Sequence, residues 1–150
     1  MDFFIYTSDS KLFDFDKAKL DQITNETITR HGLLVDTTIS DYNGDMITFL
    51  TTIEIGRVSE GTVDIAEPER LLTFKGKTVF KIEQPGLFTF GVTDHAVSVM
   101  ETMITLSQAH TYGAFNVTVR EMNLARLPME VSPIDKYLEG ITAFLSANIQ

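Results

Sequence analysis

The side chains able to do chemistry are few and scattered. Three histidines, His31, His95 and His110, form no HExxH or similar short-spaced pair, and the chain has no cysteine. A zinc ion would need long-range assembly of histidines with carboxylates, so no metal site is expected. No GxGxxG, P-loop or GxSxG stretch occurs, and the nine glycines fall where turns and bulges account for them. Without a phosphate cradle or an elbow nucleophile, no nucleotide or other cofactor is expected. Twenty-one Asp and Glu residues allow many carboxylate pairs, but nothing in their spacing brings two into one pocket, and they read as solvated surface. His110 and Tyr112 are the nearest thing to an acid–base pair. Residues two apart face different sides of a helix, so both read as packed or interface residues. Asp9, by residue type, reads as a solvated turn residue. The chain is therefore expected not to be an enzyme.

The elements that must position these residues follow from periodicity. Phe3 to Thr7, aromatic and β-branched, predict a first strand continuing irregularly toward Phe13 and Phe15. Leu33, Val35, Thr37 and Ile39 share one face of a second strand; Ile47, Phe49, Thr51, Ile53 and Ile55 share one face of a third. Asn43-Gly44 between them is a hairpin signal, because a type I′ turn needs positive φ. Residues 57 to 76, with Gly61, Pro68 and Gly76, read as a long loop with a short helix near Glu69 to Leu72. Phe80, Ile82, Phe88, Phe90 and Val92 predict a fourth strand interrupted at Pro85-Gly86.

Thr93 is placed to cap a helix running from Asp94 to about Arg120. Glu101 is the only formal charge between those two residues, which suggests two buried sides and hence an oligomer. Ser132-Pro133-Ile134-Asp135 opens a last, amphipathic helix carrying Tyr137, Ile141 and Phe144. The connection from Met122 to Val131 holds Met122, Leu124, Leu127, Met129 and Val131, so it is either covered or it binds something. The expected architecture is α+β, residues 1–150 as a single domain: a four-stranded antiparallel sheet packed by a long helix and a short C-terminal helix.

Composition narrows the partners. A formal net charge of -9 and a pI near 4.7 oppose a nucleic-acid backbone and an anionic membrane. No run of about 20 apolar residues spans a bilayer, and the first residues lack the basic start and apolar run of a signal peptide. With no cysteine to protect, a cytoplasmic location is expected.

The order of elements, together with Ile5-Tyr6-Thr7-Ser8-Asp9, Gly86-Leu87-Phe88-Thr89, Tyr112 to Thr118 and Leu127 to Leu138, resembles the SecB family of export chaperones. The likeness runs from about Phe4 to Leu145. It implies a homotetramer, a dimer of dimers, with Val97, Met100, Ile104 and Tyr112 at the helix interfaces. It also implies ATP-independent holding of unfolded polypeptides or preproteins in a groove touching Leu127, Met129, Val131, Tyr137, Ile141 and Phe144. Docking onto the ATPase SecA would fall to Asp9 and Glu83; Phe13 stands where the family has a second acid, and residues 57 to 74 look like an insertion. A dedicated client such as an antitoxin fits equally well. The competing reading is a non-chaperone assembly protein, for example a phage structural subunit, whose apolar helix and loop form a permanent interface.

Overall fold

The computed structural model describes residues 2–15, 32–58, 65–121 and 134–150. In chain order the elements are β1 (Phe3–Phe15), β2 (Gly32–Tyr42), β3 (Met46–Val58), β4 (Ile65–Ile82), α1 (Asp94–Glu121), a 3-10 turn (Ile134–Tyr137) and α2 (Leu138–Ala147). The fold is α+β: one antiparallel sheet in the order β1-β4-β3-β2, with both helices, among the described residues, packed on it. The groove residues Leu127, Met129 and Val131, the cap Ser132-Pro133 and His31 lie outside the described residues.

Alternation places the strands. Val35 and Thr37 on β2, and Ile47, Phe49, Thr51, Ile53 and Ile55 on β3, are all buried against α1, on the faces the sequence predicts. The β2–β3 hairpin is closed by Asn43, whose Oδ1 accepts from the backbone N–H groups of Asp45 (3.0 Å) and Met46 (2.8 Å). Gly44 supplies the positive φ of 95°. Three residues, rather than the two of a type I′ turn, separate the strands.

The fourth strand lies earlier than the sequence suggests. Residues 65–82 are strand rather than loop, and Leu72, Phe74, Thr78, Phe80 and Ile82 alternate inward. The β3–β4 register jumps from Gly56↔Arg70 to Val58↔Ile65, so Pro68 sits where the ladder is broken and its missing N–H costs nothing. Phe88, Phe90 and Val92 belong instead to the turns between β4 and α1, which Pro85-Gly86 starts and Gly86 (φ 73°) and Gly91 (φ 79°) shape.

Thr93 caps α1 as expected: its hydroxyl accepts from the Ala96 N–H at 3.1 Å and its carbonyl from Val97 at 3.0 Å. The helix buries one stripe, Ala96, Val99, Met100, Met103, Ile104, Ser107, Thr111, Phe115 and Val119, at spacings of three and four. Its far side carries exposed Ser98, Thr102, Thr105, Ala109, Gly113 and Val117. The scarcity of charge thus reflects hydroxyls and small residues, with a single apolar stripe.

The core is in two parts. One cluster joins Ile47, Phe49, Phe80, Met100, Met103, Tyr137, Ile141 and Leu145; the other joins Val35, Ile53, Ile55, Leu72, Phe74, Phe115 and Val119. Between them one row crosses all four strands, Ser10↔Gly76↔Thr51↔Thr37. Ser107 and Thr111 of α1 are buried on the same stripe of the helix, and Thr111 lies against Gly76. Small and hydroxyl side chains in this row let the helix approach the sheet closely.

Candidate functional site

Two surfaces carry the residues singled out by the sequence. The first is where α2 meets the hairpin end of the sheet. Tyr42, Phe88 and Phe144 form an edge-to-face triangle, with centroid separations of 6.0 Å for Tyr42–Phe88, 5.1 Å for Tyr42–Phe144 and 5.7 Å for Phe88–Phe144. Such pairs prefer this geometry because a ring's positive edge meets its neighbour's negative face. Burial raises the Tyr42 pKa above the usual 10.0, and the nearby Asp45 carboxylate adds to the shift. Of the residues expected to touch a bound chain, Phe144 is half-buried in this triangle. Ile141 (2% exposed) and Tyr137 (7%) are packed into the chain's own core.

Tyr137 has a second role. Its hydroxyl accepts from Gln108 Nε2 at 2.8 Å and donates to the Val35 carbonyl at 3.4 Å, and Lys136 Nζ donates to the same carbonyl at 3.2 Å. Gln108 also donates to Thr37 Oγ1 (3.2 Å), which shares a hydrogen bond with Thr51 Oγ1 (2.9 Å). This chain of contacts ties the start of α2, the middle of α1 and the edge strand β2 together. Lys136 also approaches Asp36 at 3.7 Å. Because a sheet edge presents unpaired backbone groups, these side chains cover part of an otherwise open edge.

Sequence reasoning missed the exposed apolar residues beside the triangle. Phe90 (76% exposed), Val92 (51%) and Ile149 (61%) cluster where the β4–α1 turns meet the residues after α2. The Gln150 N–H donates to the Thr89 carbonyl at 3.1 Å, and the Ile149 side chain leans on Gly91. Exposed apolar residues gathered in one place mark interaction surfaces, whereas single ones do not. The signal was Pro85-Gly86: ending the strand there frees Phe90 and Val92 from the buried face.

The second surface is the outer face of the sheet. A bulge between Ile5 and Thr7 reverses the pleat, so Asp9 faces outward although Phe3 and Ile5, of the same parity, pack on the core. Asp9 lies opposite Lys77, and Lys11 opposite Lys75. Glu83 is exposed beyond the end of β4, where its N–H donates to the Asp2 carbonyl at 2.8 Å. It stands six residues from Lys77, about 20 Å along the strand. Lys77 stands across from Asp9, and Val79 and Lys81 lie along β4 between that level and Glu83.

The helix residues expected at an interface face inward. Met100 (0%) and Ile104 (3%) are core, Val97 packs at its margin, and Tyr112 packs on Phe115 with ring centroids 6.1 Å apart. A 3.6-residue period puts all four on or beside the sheet-facing stripe, so they leave little for another subunit. His110 is exposed, and His95 Nε2 lies 3.2 Å from Asp2 Oδ2. Among the described residues, no group of His, Asp or Glu could hold a metal ion, and no helix is long and apolar enough to cross a membrane.

No protein-family profile matches the chain, and no curated protein matches it in sequence. Among solved structures it is similar to the Mycobacterium tuberculosis Rv1957 SecB-like chaperone in complex with a ChAD peptide from the Rv1956 HigA1 antitoxin. The identity is 8% and the TM-score 0.39, over 89% of this chain and 88% of that one. It is also similar to a protein of unknown function from Streptococcus agalactiae, at 9% identity and a TM-score of 0.26, over 87% of this chain and 94% of that one. Neither likeness is close enough to carry an argument about this chain.

Proposed function

We propose that this chain is a non-enzymatic, ATP-independent holdase that binds apolar segments of unfolded polypeptides, working as a homo-oligomer in the cytoplasm. The observation that carries the reading is the exposure of Phe90, Val92 and Ile149, which the approach of Ile149 to Gly91 and the Gln150–Thr89 hydrogen bond bring to one place. A folded chain keeps such side chains in water at a cost of about 1.5–3 kcal/mol each relative to burial, which an apolar client would recover. The resemblance of its element order and short motifs to the SecB family supports the same reading. Clients would be preproteins or a dedicated polypeptide such as an antitoxin, recognised by apolar content with little sequence reading. SecA docking through acids is not part of the proposal, because Asp9 lies opposite Lys77 and Glu83 stands at the far end of β4, beyond Lys81.

The test is binding of a fluorescently labelled, reduced and unfolded polypeptide, followed by anisotropy. The double variant Phe90→Asp/Ile149→Asp is expected to bind at least tenfold more weakly than the native chain while keeping its circular dichroism. Unchanged affinity would place the client elsewhere and remove the observation on which the proposal rests.

One observation favours a second reading, that of a non-chaperone assembly subunit. The outer side of α1, with exposed Ser98, Thr102, Thr105, Ala109, Gly113 and Val117, could hold a permanent interface with another protein. Such a subunit would bind its own partner and leave unrelated unfolded chains alone.

A further inference from the structure

The outer face of the sheet has a charge distribution at odds with the chain as a whole. On a protein of net charge -9, the outward column of β4 is Lys75, Lys77, Val79 and Lys81, with Lys11 beside it on β1. The outward acids Asp36, Asp41 and Glu54 sit on the other half, on β2 and β3, and Asp9 interrupts the basic half. Lys77 and Lys81 are exposed, whereas Lys11 and Lys75 engage neighbours of their own. A shallow hollow of about 450 Å³, lined by Asp9, Ser10, Lys11, Leu50, Lys75 and Lys77 with the Gly76 backbone, opens on this half. Exposed Phe4 (37%), opposite Lys81, and Tyr6 (57%) add apolar surface to β1 toward its other end.

We infer that the β1–β4 half of the outer sheet face docks an acidic, extended polypeptide segment of a partner protein, through Lys77 and Lys81. The spacing supports this occupant. Alternate residues of a strand stand about 6.6–7 Å apart on one face, and so do alternate side chains of an extended peptide. A segment lying along β4 with carboxylates at alternate positions, broken by one apolar residue, would meet Lys75, Lys77, Val79 and Lys81 in turn. A nucleic-acid strand fits less well, because its unbroken row of phosphates would set a charge against the apolar Val79. The surface is separate from the Phe90–Ile149 cluster, so client holding and partner docking could occur together.

The experiment uses the full chain and a short fluorescein-labelled peptide with glutamates at alternate positions and one central valine, titrated by anisotropy. Binding is expected to weaken at least tenfold from low to high salt, and to be lost in Lys77→Glu/Lys81→Glu. Both positions are exposed, so circular dichroism and binding of an unfolded, labelled polypeptide should be unchanged in that variant. An absence of peptide binding, a charge reversal without effect, or tighter binding of a single-stranded RNA of equal length would each overturn the inference. Loss of peptide binding with unfolded-chain binding retained separates this surface from the proposed holdase site.

Discussion

Thr111 of α1 rests directly on Gly76 of β4: a Cβ built at Gly76 would lie 2.6 Å from the Thr111 methyl and would overlap its hydroxyl as well. Among the described residues the Thr111 hydroxyl has no hydrogen-bond partner, and it faces the Gly76 backbone, where a Cα–H offers only a weak donor. The helix therefore crosses the sheet as closely as a residue without a side chain permits. Gly76→Ala is expected to destabilise the fold by about 1–3 kcal/mol through overpacking, read as a lower urea midpoint. The same change in a Thr111→Gly background should cost clearly less, because the atoms in the way are gone. Equal costs in the two backgrounds would mean that the contact does not set the packing.

The Tyr137 hydroxyl links α1 to the edge strand, through Gln108 on one side and the Val35 carbonyl on the other. Tyr137→Phe keeps the buried ring and removes both bonds. It is expected to cost about 1–2 kcal/mol and to speed amide exchange in β2 and α2 more than in β4. Uniform exchange across the chain would contradict a local clasp.

Alkaline pH should act at the aromatic triangle. The neutral Tyr42 phenol is favoured in the folded state by burial and by Asp45, so its folded pKa lies above the value of 10.0 that the unfolded chain takes. Below that value both states keep the proton and the contribution is complete. As pH rises further the unfolded chain ionises first, and stability falls until the folded pKa is passed. Tyr42→Phe should remove a step above pH 10 from the tyrosine absorbance titration and flatten the loss of stability above about pH 10. An unchanged titration would contradict the assigned environment.

An oligomer formed through α1 must use the outer side of the helix, since Met100 and Ile104 are core. Ala109→Arg, on the exposed side, is expected to lower the mass found by multi-angle scattering to that of one chain, with helicity retained. Met100→Ala should instead cost about 2–5 kcal/mol of fold stability. A native mass for Ala109→Arg would place the interface elsewhere.

Much of this fold is legible in the sequence where one period runs unbroken. The inward faces of β2 and β3 follow from alternation, and α1 follows from Thr93 and its three-and-four spacing. The errors come from residues whose local meaning depends on tertiary contact. Gly76 reads as a loop residue until a helix is found lying on it, and Pro68 reads as a breaker until the register jump beside it is known. Reading back from Ile82 through Phe80, Thr78, Phe74 and Leu72 would have placed β4 correctly. The scarcity of charge on α1 suggests two buried sides, whereas Ser98, Thr102 and Thr105 are exposed and simply uncharged. Phe90, Val92 and Ile149, assigned no surface role by periodicity, become prominent only once the strand is ended at Pro85.

The most direct test of the central claim is light scattering of a reduced, unfolded test protein as it aggregates, with and without this chain and with no nucleotide present. The holdase account expects suppression at near-stoichiometric amounts of the oligomer, and weaker suppression by Phe90→Asp/Ile149→Asp. A folded, stable oligomer that leaves aggregation unchanged at several-fold excess would contradict it and favour a dedicated assembly subunit.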